Sequence, residues 1–276
     1  MIKRFGKIVV LVVLVVVVGS CGKFRKLMKN GDWEAKYAAA LEYYEQKDYY
    51  KASQLLENIL PIIRGTEQAE LGNFYFAYCH FYQKQFILSG HYFKTFVEIY
   101  GRSEYVMEAS YMHAFSLYKQ SPKYTLDQTS TYEAVAALQA FINKYPYSDY
   151  AKQADQLIDE LQVKLERKAY DNAKLYYQIK GIKGFQPALV TFENFQKNFP
   201  DSKFNEEIFY LIVETQYNYA RQSTYRKQEE RYREAIEKYE LMLERYPDSP
   251  FLKDAGEIYQ KSIEELAKFA DQKNKS

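Results

Sequence analysis

The stretch that decides the fold is residues 134–148, AVAALQAFINKYPYS, because its frame returns twice further along the chain. Residues 188–202 are ALVTFENFQKNFPDS and residues 235–249 are AIEKYELMLERYPDS. Each copy begins with alanine, places large residues four and seven positions later, and ends in an aromatic residue, proline and serine. This spacing puts the first three residues on one face of a helix, and the proline ends that helix.

Two earlier segments carry the same frame without the proline. They are Ala52, Leu56, Ile59 and Ser89, Phe93, Phe96, the second of which is followed by Tyr100-Gly101-Arg102-Ser103. Twelve residues before their small positions lie two further small residues, Ala40 and Ala77. A small residue followed by two large ones matches the second helix of a tetratricopeptide repeat, in which the small residue lets neighbouring helices approach closely.

Five repeats therefore fit the chain, with small positions at residues 52, 89, 134, 188 and 235. All four of their spacings, 37, 45, 54 and 47 residues, exceed the standard length of about 34 residues. We assign the excess to a loop inside the third repeat, a long first helix in the fourth and an extended turn in the fifth. These insertions are Gln120–Ser130, Tyr150–Tyr177 and Gln222–Glu230.

The predicted fold is all-α, a tetratricopeptide-repeat solenoid of five irregular helix pairs plus a C-terminal capping helix. The capping helix is Phe251–Phe269, which covers the open end as terminal repeats must. The repeat domain is predicted to span residues 32–270, and residues 271–276 to form a frayed tail. An irregular helical bundle is the alternative, and the three in-phase aromatic-proline stops argue against it.

The N-terminus carries the pattern of a secretory signal: Lys3, Arg4 and Lys7 precede an apolar run from Ile8 to Val18. That run is shorter than the roughly 20 residues needed to span a bilayer. Val18-Gly19-Ser20-Cys21 resembles the bacterial lipobox. Residues 1–20 are therefore predicted to be a lipoprotein signal peptide, Cys21 to be acylated, and residues 21–31 to be a basic, lipidated tether near a membrane surface. An ordinary signal or short anchor with an accidental cysteine is the alternative.

Charge and motif content exclude several function classes. The net charge is +2, and removing the three basic residues of the signal leaves −1, which gives no support for nucleic-acid binding. No phosphate loop, nucleophile elbow or CxxC motif occurs, and His80, His91 and His113 lack companions for a metal site. We therefore predict no enzyme activity, no cofactor and no metal.

Aromatic residues supply the candidate binding surface. The chain has 29 tyrosines and 18 phenylalanines. In stacked helix pairs the first helices line the concave face, and exposed aromatic side chains there are effective in peptide recognition. The inward positions predicted to bind an extended or hairpin peptide are Tyr37, Tyr44, Phe74, Tyr78, Phe81, Tyr82, Tyr111, Phe115 and Tyr118. The alternative is that many of these rings pack between helices.

A lipobox followed by five irregular repeats resembles the BamD-like family of outer-membrane assembly lipoproteins. The similarity extends from Cys21 to the last helix. Its more specific points are residues 47–52 (KDYYKA), the stop at residues 145–148 (YPYS) and the Tyr176-Tyr177 pair.

The resemblance implies a lipid-anchored protein of the outer membrane that faces the periplasm. Its C-terminal repeats would dock on the BamA-like barrel insertase. Its N-terminal repeats would receive the C-terminal targeting signals of unfolded outer-membrane proteins, which commonly end in an aromatic residue. Two alternatives stay open: another periplasmic repeat lipoprotein that coordinates cell-wall synthesis, and a glycan-binding uptake lipoprotein.

Overall fold

A computed structural model of the chain describes residues 22–179 and 181–273, so the predicted signal peptide and Cys21 lie outside the described residues. The described part contains twelve helical segments. The first six are α1 (residues 22–30), α2 (Trp33–Glu45), α3 (Tyr49–Ile59), α4 (Glu67–Tyr82), α5 (Phe86–Ile99) and α6 (Val106–Gln120). The others are α7 (Thr129–Lys144), α8 (Asp149–Gln178), α9 (Ile182–Asn198), α10 (Asn205–Arg221), α11 (Tyr225–Arg245) and α12 (Leu252–Lys273).

The predicted all-α repeat fold is confirmed. The helices from α2 to α11 form five successive pairs, and α12 packs against α10 and α11 at the end of the last pair. The residues at all seven predicted small positions are buried, each no more than 1% exposed: Ala40, Ala52, Ala77, Ser89, Ala134, Ala188 and Ala235. A side chain that ends at Cβ or Oγ lets the neighbouring backbone come close, which is why the frame requires a small residue there.

The serine of the stop at residues 145–148 caps the helix that follows. The Oγ of Ser148 accepts a hydrogen bond from the backbone amide of Ala151 at 3.2 Å, at the start of α8. Such a cap satisfies an amide group that has no partner within the first turn of a helix. The serines of the other stops accept instead from the amide two positions later, at 3.0–3.2 Å, which belongs to the residue just before the next helix: Ser103, Ser202 and Ser249.

The chain divides into two compact units, with the boundary inside α8 between Leu161 and Gln162. The largest core cluster of the first unit contains the fully buried side chains Phe93, Leu138 and Leu161. The second unit has a core around Phe192 and Ile212. None of the helices in residues 22–179 and 181–273 is both long and apolar enough to cross a bilayer.

Three predicted boundaries need correction. The extended turn predicted at Gln222–Glu230 is wrong, because α11 already begins at Tyr225. Its first turns are stabilised by a Lys227–Glu230 ion pair of 2.7 Å and an Arg233–Glu229 ion pair of 3.0 Å, both at helical spacing.

The predicted tether and tail also contain helix. Residues 22–30 form α1, whose apolar side packs on the first pair because Phe24, Leu27 and Met28 recur at helical spacing. At the other end, α12 continues to Lys273, past the predicted start of the tail. Residues 274–276 lie outside the described part of the chain.

Candidate functional site

Eight of the nine predicted peptide-binding residues form one network of ring contacts in the first unit. Centroids of neighbouring rings lie between 5.0 Å and 6.3 Å apart, as aromatic pairs prefer. The network contains Tyr44 of α2, four residues of α4 and three of α6, namely Phe74, Tyr78, Phe81, Tyr82, Tyr111, Phe115 and Tyr118. The ninth residue, Tyr37, lies instead beside Gly72 of α4.

Three of these residues are interior, contrary to the expectation that they line an accessible face. Phe74, Tyr78 and Tyr111 are only 5%, 8% and 6% exposed. Phe74 is covered by Tyr105, whose ring stacks on it at 4.8 Å, and Tyr111 is covered by Tyr150 at 4.6 Å. The frame identifies positions that point away from the paired helix. It does not reveal that a neighbouring tyrosine covers them.

The remaining five residues form a surface that we call the aromatic row: Tyr44, Tyr82, Phe81, Phe115 and Tyr118. Tyr82 is its most open member, at 46% exposed, and the other four are half-buried. Because each ring contacts the next, the row runs without a break across the first three helix pairs.

Tyr49 belongs beside the row although the sequence prediction missed it. Its ring stacks on that of Tyr82 with centroids 4.4 Å apart and planes 20° from parallel. Tyr49 lies three positions before the small residue Ala52 in the sequence. Its contact with Tyr82 could not be predicted, because sequence spacing within α3 says nothing about α4.

A cation lies at the far end of the row. The ammonium nitrogen of Lys119 is 4.7 Å from the ring centroid of Phe115 and 5.3 Å from that of Tyr118. These two rings are nearly parallel, 8° apart, and their faces attract the positive charge. This end of the row therefore combines apolar ring surface with one ammonium group.

Tyrosine hydroxyls join the first helices of successive pairs, a role that the sequence prediction missed. In the first unit, Tyr78 of α4 donates to Glu108 of α6, and Tyr118 of α6 donates to Glu160 of α8 at 2.5 Å. In the second unit, two tyrosines of α8 donate to α10 at 2.5–2.6 Å, in the pairs Tyr170–Glu207 and Tyr177–Glu214. Hydrogen bonds to a carboxylate are stronger than neutral ones.

These contacts raise the pKa of the phenols still further above neutral pH. The hydrogen bond to Glu160, together with burial, raises the pKa of Tyr118 to about 12. Burial and then the bond to Glu108 raise the pKa of Tyr78. A carboxylate and a buried setting both disfavour the charged phenolate. Each tyrosine thus supplies a packing ring and a hydrogen-bond donor, which gives a physical reason for the high tyrosine content.

An apolar cavity of the first unit lies away from the row. It has a volume of about 300 Å³ and is lined by α5, α6 and α7, including Val97, His113 and Phe141. Burial lowers the pKa of His113, whose Nδ1 is 2.8 Å from the carbonyl oxygen of Gly90. No residue of the aromatic row lines this cavity. The row is an open surface, which suits an extended ligand better than a compact small molecule.

Comparison with protein families finds one match across almost the whole described chain. The YfiO family, described as "Outer membrane lipoprotein", matches residues 29–183 and 183–270. A comparison with curated proteins finds no significant match. The two matched segments cover all five helix pairs and most of α12, and they confirm the resemblance drawn from the lipobox and the repeats. The chain belongs to the YfiO family of BamD-like outer membrane lipoproteins.

Proposed function

We propose that this lipoprotein is a non-enzymatic scaffold of the β-barrel assembly machinery, held by lipid on Cys21 and facing the periplasm. Its first unit binds the C-terminal targeting peptides of unfolded outer-membrane proteins. Its second unit binds the BamA-like barrel insertase, an assignment made for the region and not for single residues. The observation that carries the peptide part of the proposal is the unbroken aromatic row.

The row suits a chain that ends in an aromatic residue for two reasons. Its half-buried rings have already lost most of their rotational freedom, so that a ligand ring stacks on them at small entropic cost. The ammonium group of Lys119, at one end of the row, complements a terminal carboxylate. Both features favour an extended peptide that lays its last residues along the row.

Tyr82→Ala is the direct test, because Tyr82 is the most exposed ring of the row. We expect the dissociation constant of a synthetic peptide that ends in phenylalanine to rise about 5- to 30-fold, the usual effect of losing a contact of about 1–2 kcal/mol. Isothermal titration calorimetry measures the constant.

The matched control is Tyr132→Ala, since Tyr132 is 61% exposed on α7 and is not a member of the row. It should leave peptide affinity unchanged, and both variants should keep the helical content of the parent. Equal affinities for the two variants would remove the row from the proposal.

A pull-down tests the scaffold part. From detergent-solubilised outer membrane, the tagged lipoprotein should recover a barrel insertase with periplasmic domains. A porin-sized transporter as the main partner would support the glycan-uptake alternative, and a cell-wall synthase would support the coordinator of cell-wall synthesis. Either of these outcomes would overturn the assembly proposal.

A further inference from the structure

The first helix, α1, has two chemically different sides. At about 3.6 residues per turn, its apolar side chains fall on one side, Arg25, Lys26 and Lys29 on the opposite side, and Lys23 at the edge between the two. Phe24, Leu27 and Met28 are partly buried against the core of the first pair. The four cations are all exposed: Lys23, Arg25, Lys26 and Lys29.

Contacts at both ends hold α1 against the first pair. The ring of Phe24 meets that of Tyr43 edge-on, with centroids 5.8 Å apart. At the other end, the amide of Gly31 donates to the carbonyl of Leu27 at 2.9 Å. Asp32 then caps α2 by accepting from the amide of Ala35 at 2.7 Å, so the connection between the two helices is only two residues long. The cations are therefore carried on a docked helix.

The charge on the outer side of α1 is not neutralised by the protein. No acidic residue occurs between Cys21 and Gly31. Within the part of the chain that the structure describes, none of the four cations is paired with a carboxylate. The first acidic side chain after them, Asp32, is engaged in its cap. A concentrated positive surface of this kind attracts anions.

We propose that the cationic side of α1 binds the anionic phosphate groups of the phospholipid leaflet that holds the anchor, and that it thereby orients the first helix pair against the membrane. The proposal rests on the proposed attachment through Cys21, which comes one residue before α1. At about 1.5 Å per residue, all four cations lie within roughly 10 Å of the start of α1 along the helix axis. That distance is close to the Debye length of about 8–10 Å.

The position of α1 directly after Cys21 favours a lipid surface over an acidic protein as the partner of its cations. An acyl chain on Cys21 would place the start of α1 at the headgroup layer whatever else the protein binds. Each lysine or arginine near an anionic surface strengthens binding by about fivefold. Four of them together give about a 10²- to 10³-fold preference for anionic over neutral lipid.

The test separates α1 from the anchor by using the chain from residue 21 with Cys21→Ser, which cannot be acylated. Its only tryptophan, Trp33, opens α2 immediately after α1 and so reports on this part of the molecule. Energy transfer from Trp33 to dansyl-labelled lipid is measured with vesicles of phosphatidylcholine alone or with one third phosphatidylglycerol. We expect transfer only with the anionic vesicles, and we expect added salt to abolish it.

Neutralising the four cations, in the variant Lys23→Gln, Arg25→Gln, Lys26→Gln, Lys29→Gln, should lower the partition coefficient about 10²- to 10³-fold. A control variant makes the same change in charge at four exposed lysines on other helices: Lys152, Lys183, Lys197 and Lys253. It should bind as the parent does. Equal binding by the two variants, or vesicle binding without transfer from Trp33, would overturn the proposal. Absence of vesicle binding by the parent would also overturn it, and would favour an acidic protein partner while leaving anchoring by Cys21 intact.

Discussion

Phe93→Ala is expected to destabilise the first unit by about 3–5 kcal/mol, the usual effect of truncating a buried phenylalanine. Phe93 is fully buried, and its ring meets that of Tyr78 edge-on at 4.9 Å and that of Phe74 at 6.1 Å. Alanine would leave a cavity beside the buried rings of Tyr78 and Phe74. The surrounding rings are fixed by their own contacts, so the site has little freedom to collapse around that cavity.

Urea unfolding followed by Trp33 fluorescence measures this loss, because Trp33 packs in the first unit. The matched control is Ile87→Ala on the same helix. Ile87 is 74% exposed, so its truncation should change the free energy of unfolding by no more than about 0.5 kcal/mol. If the two variants unfold at the same urea concentration, Phe93 is not the core residue that its burial indicates.

The repeat frame was predictable because it is local. A small residue, two large ones and a proline lie within a single helix, so their spacing records the face that they occupy. Phe93 and Phe96 occupy the predicted large positions, and both are buried in the core. The long helix expected at Tyr150–Tyr177 is also confirmed, since α8 differs from it by one residue at each end.

Contacts between helices were not predictable in the same way. Glu108 and Glu160 accept from tyrosines 30 and 42 residues earlier in the chain. Loops and helices of varied length separate the partners, so no fixed spacing reveals the pairs. The burial of Phe74 and Tyr111 has the same origin, because it depends on Tyr105 and Tyr150, which belong to the following helix pair.

The errors in helix boundaries have a different cause. Charge-rich stretches such as residues 222–230 and 22–30 resemble loops by composition, although their lysine, arginine and glutamate residues favour helix. In α11 the ion pairs between neighbouring turns add to this preference for helix. In α1, helix formation is favoured because three apolar residues on one side pack against the core of the first pair.

Membrane attachment now has two proposed components that differ in strength. The basic side of α1 provides an electrostatic contact that salt weakens. Acyl chains on Cys21 contribute about 0.8 kcal/mol for each buried CH₂ group, and more than one chain makes attachment stable. The acyl component should therefore dominate. Removing it should have the larger effect, even with α1 unchanged.

Cys21→Ser should accordingly transfer the protein from the outer-membrane fraction to the soluble fraction while leaving its helical content intact. Cell fractionation measures the transfer. It is carried out at moderate salt, which weakens both the contact of α1 with the membrane and loose protein contacts. Cys79→Ala is the matched control, because Cys79 is buried in the core and burial raises the pKa of its thiol to about 12, which leaves it unreactive. The control should stay in the membrane. If the Cys21→Ser protein also remains there after the salt wash and after depletion of the insertase, acylation of Cys21 is not what holds this lipoprotein to the membrane.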